Sequence, residues 1–178
     1  MKNNLSEYRY CHSVRVAEEA SRLARVYHVD EKKAYIAGLV HDIAKEFSDE
    51  ENKAWVLKFN RQDLLLTEFK RVIHAEIGGL VAQDLYDLEE DIIKAIRYHA
   101  IGNVEMDLLA KIVFVADKIE SGKKYPGIEE ERILAYQNID EALILCLKNQ
   151  KKKRESEGKP IHPDSLKLID YLEKESVY

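Results

Sequence analysis

Six residues of metal-binding types are spread along the chain at wide intervals, four histidines and two aspartates. Their spacing matches no short zinc-finger motif, and none of them is a cysteine. Imidazole nitrogens and carboxylate oxygens together are typical ligands of iron, manganese and zinc. The six are His12, His41, Asp42, His74, His99 and Asp117.

The four histidines lie on the apolar faces of four predicted amphipathic helices, in which apolar residues recur at spacings of three or four. One such histidine alone is more often a hydrogen-bonded core residue than a ligand. Four that face the interior from four helices predict one nitrogen-rich site. The faces consist of Leu5, Tyr8, His12, Val16, Ala20, Leu23 and Tyr27; Ala34, Ala37, His41 and Ala44; His74, Ile77, Val81 and Leu85; and Ile92, Ile96 and His99.

Asp117 lies in a predicted helix from Asp107 to Ser121 that is apolar on almost every side. A buried, isolated carboxylate is costly, because the ion loses its water without gaining a partner. A metal ion or a close cationic side chain removes that cost. Asp117 therefore strengthens the case for a metal centre.

Six donors exceed the four that a tetrahedral zinc ion uses, so the set favours two adjacent ions. Asp42 is the predicted bridge between them. Lys45 follows on the same side of the helix, where it either reaches a bound phosphate or is an ordinary solvated lysine. Cys11 points about 100° away from His12 on a helix, and we expect it to pack in the core rather than bind metal.

The remaining pattern is also helical, and it contains no strand signal and no internal repeat. Asp30 predicts the start of a helix through Ala44, and Ser48 that of a helix through Phe59. Residues 60–71 read as loop with some helix. Further helices are predicted near 129–136, from Asn138 towards Gly158, and from Pro163 onward. We predict an all-α bundle of roughly seven to nine helices in one domain (residues 1–178), with a core over about 5–125 and C-terminal helices over about 128–176 packed on it.

Composition argues against nucleic acid and membranes as partners. The formal charge is −5, and no stretch is apolar enough to span a bilayer. The one dense basic run, residues 151–154, favours a solvated helix end over a phosphate-binding patch. Two cysteines without paired spacing (Cys11 and Cys146) indicate a reducing compartment, and we expect a cytoplasmic protein. The apolar side of the final helices is a candidate homodimer surface. His28 and His162 lie at helix boundaries and are not assigned to the metal.

Several strings give the sequence a family resemblance. They are HDIAKEF from His41, HAEIGGLVA from His74, AIRYHAIGN from Ala95 and KIVFVADKIESGKKYPGIEEER from Lys111. They resemble the HD-domain metal-dependent phosphohydrolases, and within that superfamily the bacterial YqeK family of symmetrical diadenosine-tetraphosphate hydrolases. The resemblance covers about residues 9–172, and its most specific part is the segment 111–132.

The resemblance implies a compact HD-domain bundle with two divalent metal ions, iron before manganese or zinc. One ion would be held by His12, His41 and Asp117 and the other by His74 and His99, with Asp42 between them. The implied reaction cuts a dinucleoside polyphosphate in the middle into two nucleoside diphosphates, by attack of a hydroxide that bridges the metals. We expect Asp42 and Lys45 to be catalytic. The expected substrate contacts are Lys45, Glu120, Lys123, Tyr125, Gly127 and Arg132.

Two departures from the family pattern concern the substrate rather than the metal. Ala100 stands where the family usually has Thr, and Ser121-Gly122-Lys123 stands where Pro-Gly-Arg is common. Lys123 keeps the charge of Arg but loses its two-pronged hydrogen bonding. Two alternatives remain. One is another HD reaction, on a mononucleotide or a cyclic nucleotide, and the other is a nucleotide-sensing module without turnover.

Overall fold

The structure, a computed structural model, describes residues 5–175 apart from the side chain of Arg71. Within that range the regular elements are nine α-helices and two short 3₁₀ segments, and there is no strand. The predicted all-α class is therefore confirmed. The helices are α1 Glu7–Val26, α2 Glu31–Val40, α3 Asp49–Lys58, α4 Ile73–Tyr86, α5 Glu90–Tyr98, α6 Leu108–Ile119, α7 Ile128–Ala135, α8 Ile139–Ser156 and α9 Pro163–Glu175, and the 3₁₀ segments are Gln62–Leu65 and Lys70–Val72.

Local sequence sets several of the helix starts. The carboxylate of Asp30 accepts hydrogen bonds from the first-turn amides of α2, and the side chain of Asn138 does the same for α8. Ser48 and Glu51 form the predicted capping box of α3. Pro163 is the first residue of α9, where its missing N–H costs nothing.

The second helix ends earlier than its sequence pattern predicts. It stops at Val40 rather than at Ala44, and residues 41–46 form turns. The amide of Ile43 donates to the Val40 carbonyl at 3.0 Å, and that of Lys45 to the Asp42 carbonyl at 2.9 Å. These bonds span three residues instead of four, so the chain tightens where the His-Asp pair lies.

Three residues expected inside the protein are exposed. Tyr8 is 72% exposed and Leu85 is 59% exposed, each in a terminal turn of its helix. Cys11 is also exposed, so the prediction that it packs in the core was wrong. Its neighbour His12 faces inward, and the 100° step along a helix turns Cys11 towards solvent.

Helix α6 is the centre of the core. It packs on α1, α2, α5 and α8, and Phe114 near its middle is fully buried. Leu143 of α8 and Leu168 of α9 belong to the same cluster of buried residues, so the C-terminal helices share their core with α6. In the part of the chain that the structure describes, no helix has both the length and the apolar character needed to cross a membrane.

Candidate metal centre

The six predicted ligands come together in one buried cluster. His12 Nε2 lies 3.1 Å from Asp117 Oδ1 and 3.8 Å from Asp42 Oδ2. On the other side of Asp42, His74 Nε2 and His99 Nε2 lie 3.2 Å and 3.4 Å from its Oδ1. His41 Nε2 is 3.5 Å from Asp42 Oδ2. Asp42 is thus in contact with all four histidines.

A close approach of α1 and α2 brings the first histidines together. Gly38 lies against the backbone of α1, and a Cβ at this position would be 2.8 Å from the Cα of Ala17. Any larger residue would force the two helices apart. Because His12 and His41 lie on these same helices near the contact, Gly38 controls the distance between them.

The turn after α2 places both members of the His-Asp pair in the cluster. On a continuous helix, neighbouring side chains point about 100° apart and rarely reach the same site. Here His41 is the C-terminal cap of α2, and Asp42 belongs to the tight turn that follows. The early end of α2 therefore has a direct consequence for the site.

Backbone carbonyls determine the tautomers of two histidines. His41 Nδ1 lies 2.7 Å from the Gly38 carbonyl, and His99 Nδ1 lies 2.7 Å from the Ile96 carbonyl. A carbonyl only accepts, so each Nδ1 carries the hydrogen and donates it. In the neutral ring the lone pair is then on Nε2, which faces the cluster. This is the arrangement that histidine ligands of metals adopt.

Two buried atoms of the cluster lack a hydrogen-bond partner among the described residues. They are His41 Nε2 and Asp42 Oδ1. Buried polar atoms are normally satisfied, because leaving one unpaired costs about 1–3 kcal/mol. Metal ions bound to the two sides of the cluster would satisfy these atoms, so the residues present fit a metal centre.

The ligand atoms fall into two groups that share one aspartate. His12, His41 and Asp42 form the first group, and Asp42, His74 and His99 form the second. Within each group the ligand atoms lie within 4.8 Å of one another. Asp117 adjoins the first group, since its Oδ1 is 3.1 Å from His12 Nε2 and 3.8 Å from His41 Nε2. This arrangement suits two cations with a carboxylate between them.

The two aspartates are ionised despite their burial. Desolvation opposes ionisation, but His41 and the other histidines hold the pKa of Asp42 far below its usual range. Lys118 and His12 outweigh desolvation in the same way and lower the pKa of Asp117. Burial lowers the pKa of His99 to about 4, so this ring is neutral near pH 7. Ionised carboxylates and a neutral imidazole are the forms that bind metal.

Glu120 supports His12 from behind. Its Oε1 lies 3.1 Å from His12 Nδ1, and its Oε2 accepts from Arg15 Nε at 2.6 Å and from the Gly122 amide at 2.5 Å. A carboxylate behind a histidine fixes the ring and makes it a stronger ligand. The expected contact between Glu120 and substrate stays a prediction, and the contacts of its buried carboxylate are with His12, Arg15 and Gly122.

Lys45 lies beside the cluster, with Nζ 3.1 Å from His74 Nε2. Although the residue as a whole is exposed, desolvation of the ammonium lowers the pKa of Lys45. The two sequence-based interpretations of Lys45, a contact with a phosphate and an ordinary solvated lysine, both stay predictions.

The remaining predicted substrate contacts lie along the segment that follows α6. Lys123 Nζ is 3.8 Å from Asp117 Oδ1, and the Tyr125 hydroxyl donates towards the Lys118 carbonyl and the buried carboxylate of Glu131. Gly127 has a φ of 91° at the start of α7.

Arg132 joins α7 to the end of α6. It donates to the carbonyls of Ile119, Glu120 and Lys123 at 2.9, 3.0 and 3.2 Å. Its guanidinium thus supports the segment after α6, and its expected contact with substrate stays a prediction.

Three cationic residues at the site were missed by the sequence interpretation. Arg9 donates to Asp42 Oδ2 at 2.6 Å, Arg15 to Glu120, and Lys118 to Asp117 Oδ2 at 2.6 Å. Arg9 and Arg15 lie three residues before and after His12, on the same helix face. The spacing of three residues from His12 could have identified Arg9 and Arg15 as site residues. For Lys118, the corresponding signal was its position next to Asp117.

The chain is similar to a known protein family and to several known proteins. The HD domain family profile matches residues 9–122. The symmetrical bis(5′-nucleosyl)-tetraphosphatase of Bacillus subtilis (strain 168) is 37% identical over 173 residues, which are 97% of this chain and 93% of the relative. The protein of the same name from Staphylococcus aureus (strain NCTC 8325 / PS 47) is 35% identical over 76% of this chain and 70% of its own length.

A solved structure is also similar. A predicted HD superfamily hydrolase involved in NAD metabolism, from Clostridium acetobutylicum, matches with a TM-score of 0.91 and 33% identity over 97% of this chain and 93% of that one. The chain described here belongs to the HD domain family, whose hydrolases depend on metal. Within that family, its relatives of similar length carry the name symmetrical bis(5′-nucleosyl)-tetraphosphatase, and the resemblance seen in the sequence is confirmed.

Proposed function

We propose that this chain hydrolyses diadenosine tetraphosphate, and related dinucleoside polyphosphates, symmetrically into two nucleoside diphosphates. The observation that carries the proposal is the sharing of Asp42 between two buried ligand groups. Such a centre suits phosphoanhydride hydrolysis, because paired ions bind both sides of the reacting phosphorus. The names and the high coverage of the relatives supply the substrate class.

The reaction consumes one water molecule and breaks one P–O bond of the central anhydride. Each product keeps two phosphates, and the protons from water pass to solvent. Two dications, when bound, acidify a water molecule to a pKa near 7 and withdraw charge from the phosphoryl oxygens. We assign one ion to His12, His41 and Asp117, the other to His74 and His99, and the bridging position to Asp42.

Cationic side chains orient both Asp42 and the substrate at this centre. Arg9 holds Asp42 through Oδ2, which leaves Oδ1 towards His74 and His99. Lys45 and Lys123 lie beside the ligands, where their ammonium groups neutralise phosphate charge as the leaving diphosphate gains it. Asp42 and Lys45 are the proposed catalytic residues. Lys45, Glu120, Lys123, Tyr125, Gly127 and Arg132 are the proposed substrate contacts.

Iron is the proposed metal, with manganese and zinc as the alternatives that the same donor set accepts. Protein purified without chelators, with its metals measured by mass spectrometry, tests this proposal. About two iron atoms per chain support it, and zinc or manganese at that level contradicts it.

We further propose that the protein is cytoplasmic, that it forms a homodimer through its C-terminal helices, and that it binds neither nucleic acid nor membranes.

Product identification with metal-loaded protein tests the reaction. We expect ADP as the product from diadenosine tetraphosphate, at two molecules per substrate consumed. AMP together with ATP would indicate asymmetric cleavage and contradict the proposal. Release of only inorganic phosphate from mononucleotides, or opening of a cyclic dinucleotide, would assign a different HD reaction. Nucleotide binding without any turnover would assign a sensing module.

A further inference from the structure

Two separate cavities open beside the metal cluster. The first, the His74 cavity, measures about 420 Å³ and is lined by Lys45, Asn52, Lys70 and His74, among others. The second, the Lys118 cavity, measures about 580 Å³ and lies between the end of α6, the segment 123–126 and α8. The two share no lining residue. Both volumes lie within the 300–1,000 Å³ that pockets for small molecules usually have.

Each cavity reaches a different part of the cluster. In the His74 cavity, His74 Nε2 is 3.2 Å from Asp42 Oδ1. In the Lys118 cavity, Lys118 Nζ is 2.6 Å from Asp117 Oδ2 and Lys123 Nζ is 3.8 Å from Asp117 Oδ1. Asp42 and Asp117, the aspartates beside these two cavities, both contact His12.

Both cavities are positively charged. Lys45 and Lys70 line the His74 cavity, and none of the described residues that line it has a carboxylate side chain. Among the described residues that line the Lys118 cavity, four are lysines, Lys118, Lys123, Lys124 and Lys153, and one is a carboxylate, Glu131, which already binds Tyr125 and Asn149. Among the residues that the structure describes, Lys70, Lys124 and Lys153 form no ion pair, so an anionic ligand would not have to displace a partner.

Gln150 lines the Lys118 cavity and also another cavity, and its side chain carries an acceptor without a described hydrogen-bond partner. Gln150 Nε2 donates to the Ala100 carbonyl at 3.3 Å, which fixes the orientation of the amide, because a carbonyl cannot face Oε1. Gln150 Oε1 is buried and accepts no hydrogen bond from the described residues, among which the side chain of Arg71 is not included.

We infer that the substrate spans the metal cluster with one nucleoside half in each cavity. The central anhydride then lies over Asp42, and cleavage in the middle follows from the position of the cluster between two binding cavities. This inference rests on the proposed function, and it adds the location of each half. It gives Lys70 and Lys153, which are remote in sequence, equivalent roles on the two halves.

Binding of the product ADP to the metal-loaded protein tests the two cavities directly. We expect two ADP molecules per chain at saturation in equilibrium dialysis. Lys70→Ala should weaken one of the two binding steps and Lys153→Ala the other, each by about threefold to tenfold, the net size of one typical hydrogen bond. The double variant should weaken both. Lys53→Ala and Lys152→Ala are matched controls, since both are exposed lysines near these positions that line neither cavity.

Kinetics with the intact substrate gives a second readout. Each cavity variant should raise KM for diadenosine tetraphosphate by about threefold to tenfold, while the control variants leave it within twofold. One ADP per chain, or variants that act like their controls, would overturn the two-cavity inference. If that happened while the wild-type protein still released ADP, the proposed function would stand. Absence of ADP release by the wild-type protein would contradict the proposed function itself.

Discussion

Two regions of the molecule differ in what they contribute to the site. Residues 9–122, which the HD domain profile matches, carry all six candidate ligands and the buried groups behind them. Residues 123–175 carry none of the six. They supply much of the Lys118 cavity and three helices, two of which, α8 and α9, add leucines to the core around α6. The chemistry and part of the proposed recognition therefore belong to different stretches of chain.

The physical environment of the two regions also differs. The ligands are buried, in contact with one another, and held by backbone carbonyls and carboxylates behind them. The C-terminal contribution to the cavity combines exposed residues, among them Lys124, Tyr125 and Lys153, with the buried side chains of Glu131 and Cys146. Removing a buried charge leaves its partners unpaired, whereas removing an exposed lysine leaves only water in its place. Substitutions in the two regions should therefore differ in size and in the kinetic constant they change.

The largest effect should come from Asp42→Asn. This change keeps the size of the side chain but removes the charge that both ligand groups share. We expect kcat to fall by about a thousandfold or more, since the paired-metal chemistry is lost. ADP release and metal content per chain measure the effect, and circular dichroism verifies the fold. Activity within tenfold of wild type, with normal metal content, would refute the assignment of Asp42.

The next largest effect should be on stability, from Leu168→Ala in α9. Leu168 is 1% exposed and belongs to the cluster around α6. A cavity of this kind typically costs about 2–5 kcal/mol in the free energy of unfolding. Urea unfolding measures the loss, and Leu166→Ala is the control, because Leu166 on the same helix is 36% exposed. Equal losses in both variants would mean that α9 does not share the core.

Glu120→Gln should have an intermediate effect, through His12. The amide keeps the shape of the side chain but weakens the contact with His12 Nδ1 and the ion pair with Arg15. Losing a group behind a metal ligand usually costs about 10–100-fold in metal affinity. Competition with a chelator measures this affinity. Glu130→Gln, at an exposed position, is the control.

A contact between Glu120 and the substrate, as the sequence predicted, would give the Glu120→Gln variant a different phenotype. If Glu120 contacts substrate instead, Glu120→Gln should change KM and leave metal affinity as in the wild-type protein. A merely structural role would lower stability without changing metal affinity in the folded protein.

The smallest effect should come from Tyr125→Phe in the C-terminal region. This change removes one hydroxyl, which donates to the Lys118 carbonyl and Glu131, while Asn149 still pairs with Glu131. We expect KM for diadenosine tetraphosphate to rise by about twofold to tenfold, the effect of one hydrogen bond, with kcat and metal content unchanged. Tyr171→Phe, an exposed residue of α9, is the control. A fall in kcat without a change in KM would place Tyr125 in the chemistry.

Sequence patterns predicted most of the helices, because their causes are local. The caps at Asp30, Ser48 and Asn138 act on amides two or three residues away, and the apolar spacing records which face is buried. The sequence did not predict that Tyr8 and Leu85 are exposed. The apolar spacing continues to the helix end, but it does not show where the neighbouring helix that would cover these side chains ends.

The sequence by itself determined the helical class, the donor types and the list of six candidate ligands. Those follow from residue chemistry and periodicity. Only the tertiary structure decided that α2 ends at Val40, that Gly38 lets α1 and α2 approach, and that Glu120 is directed at His12. The last two depend on atoms far apart in the chain, for example the 108 residues between His12 and Glu120. The spacing of residue types along the chain does not give the spatial distance between residues so far apart in sequence.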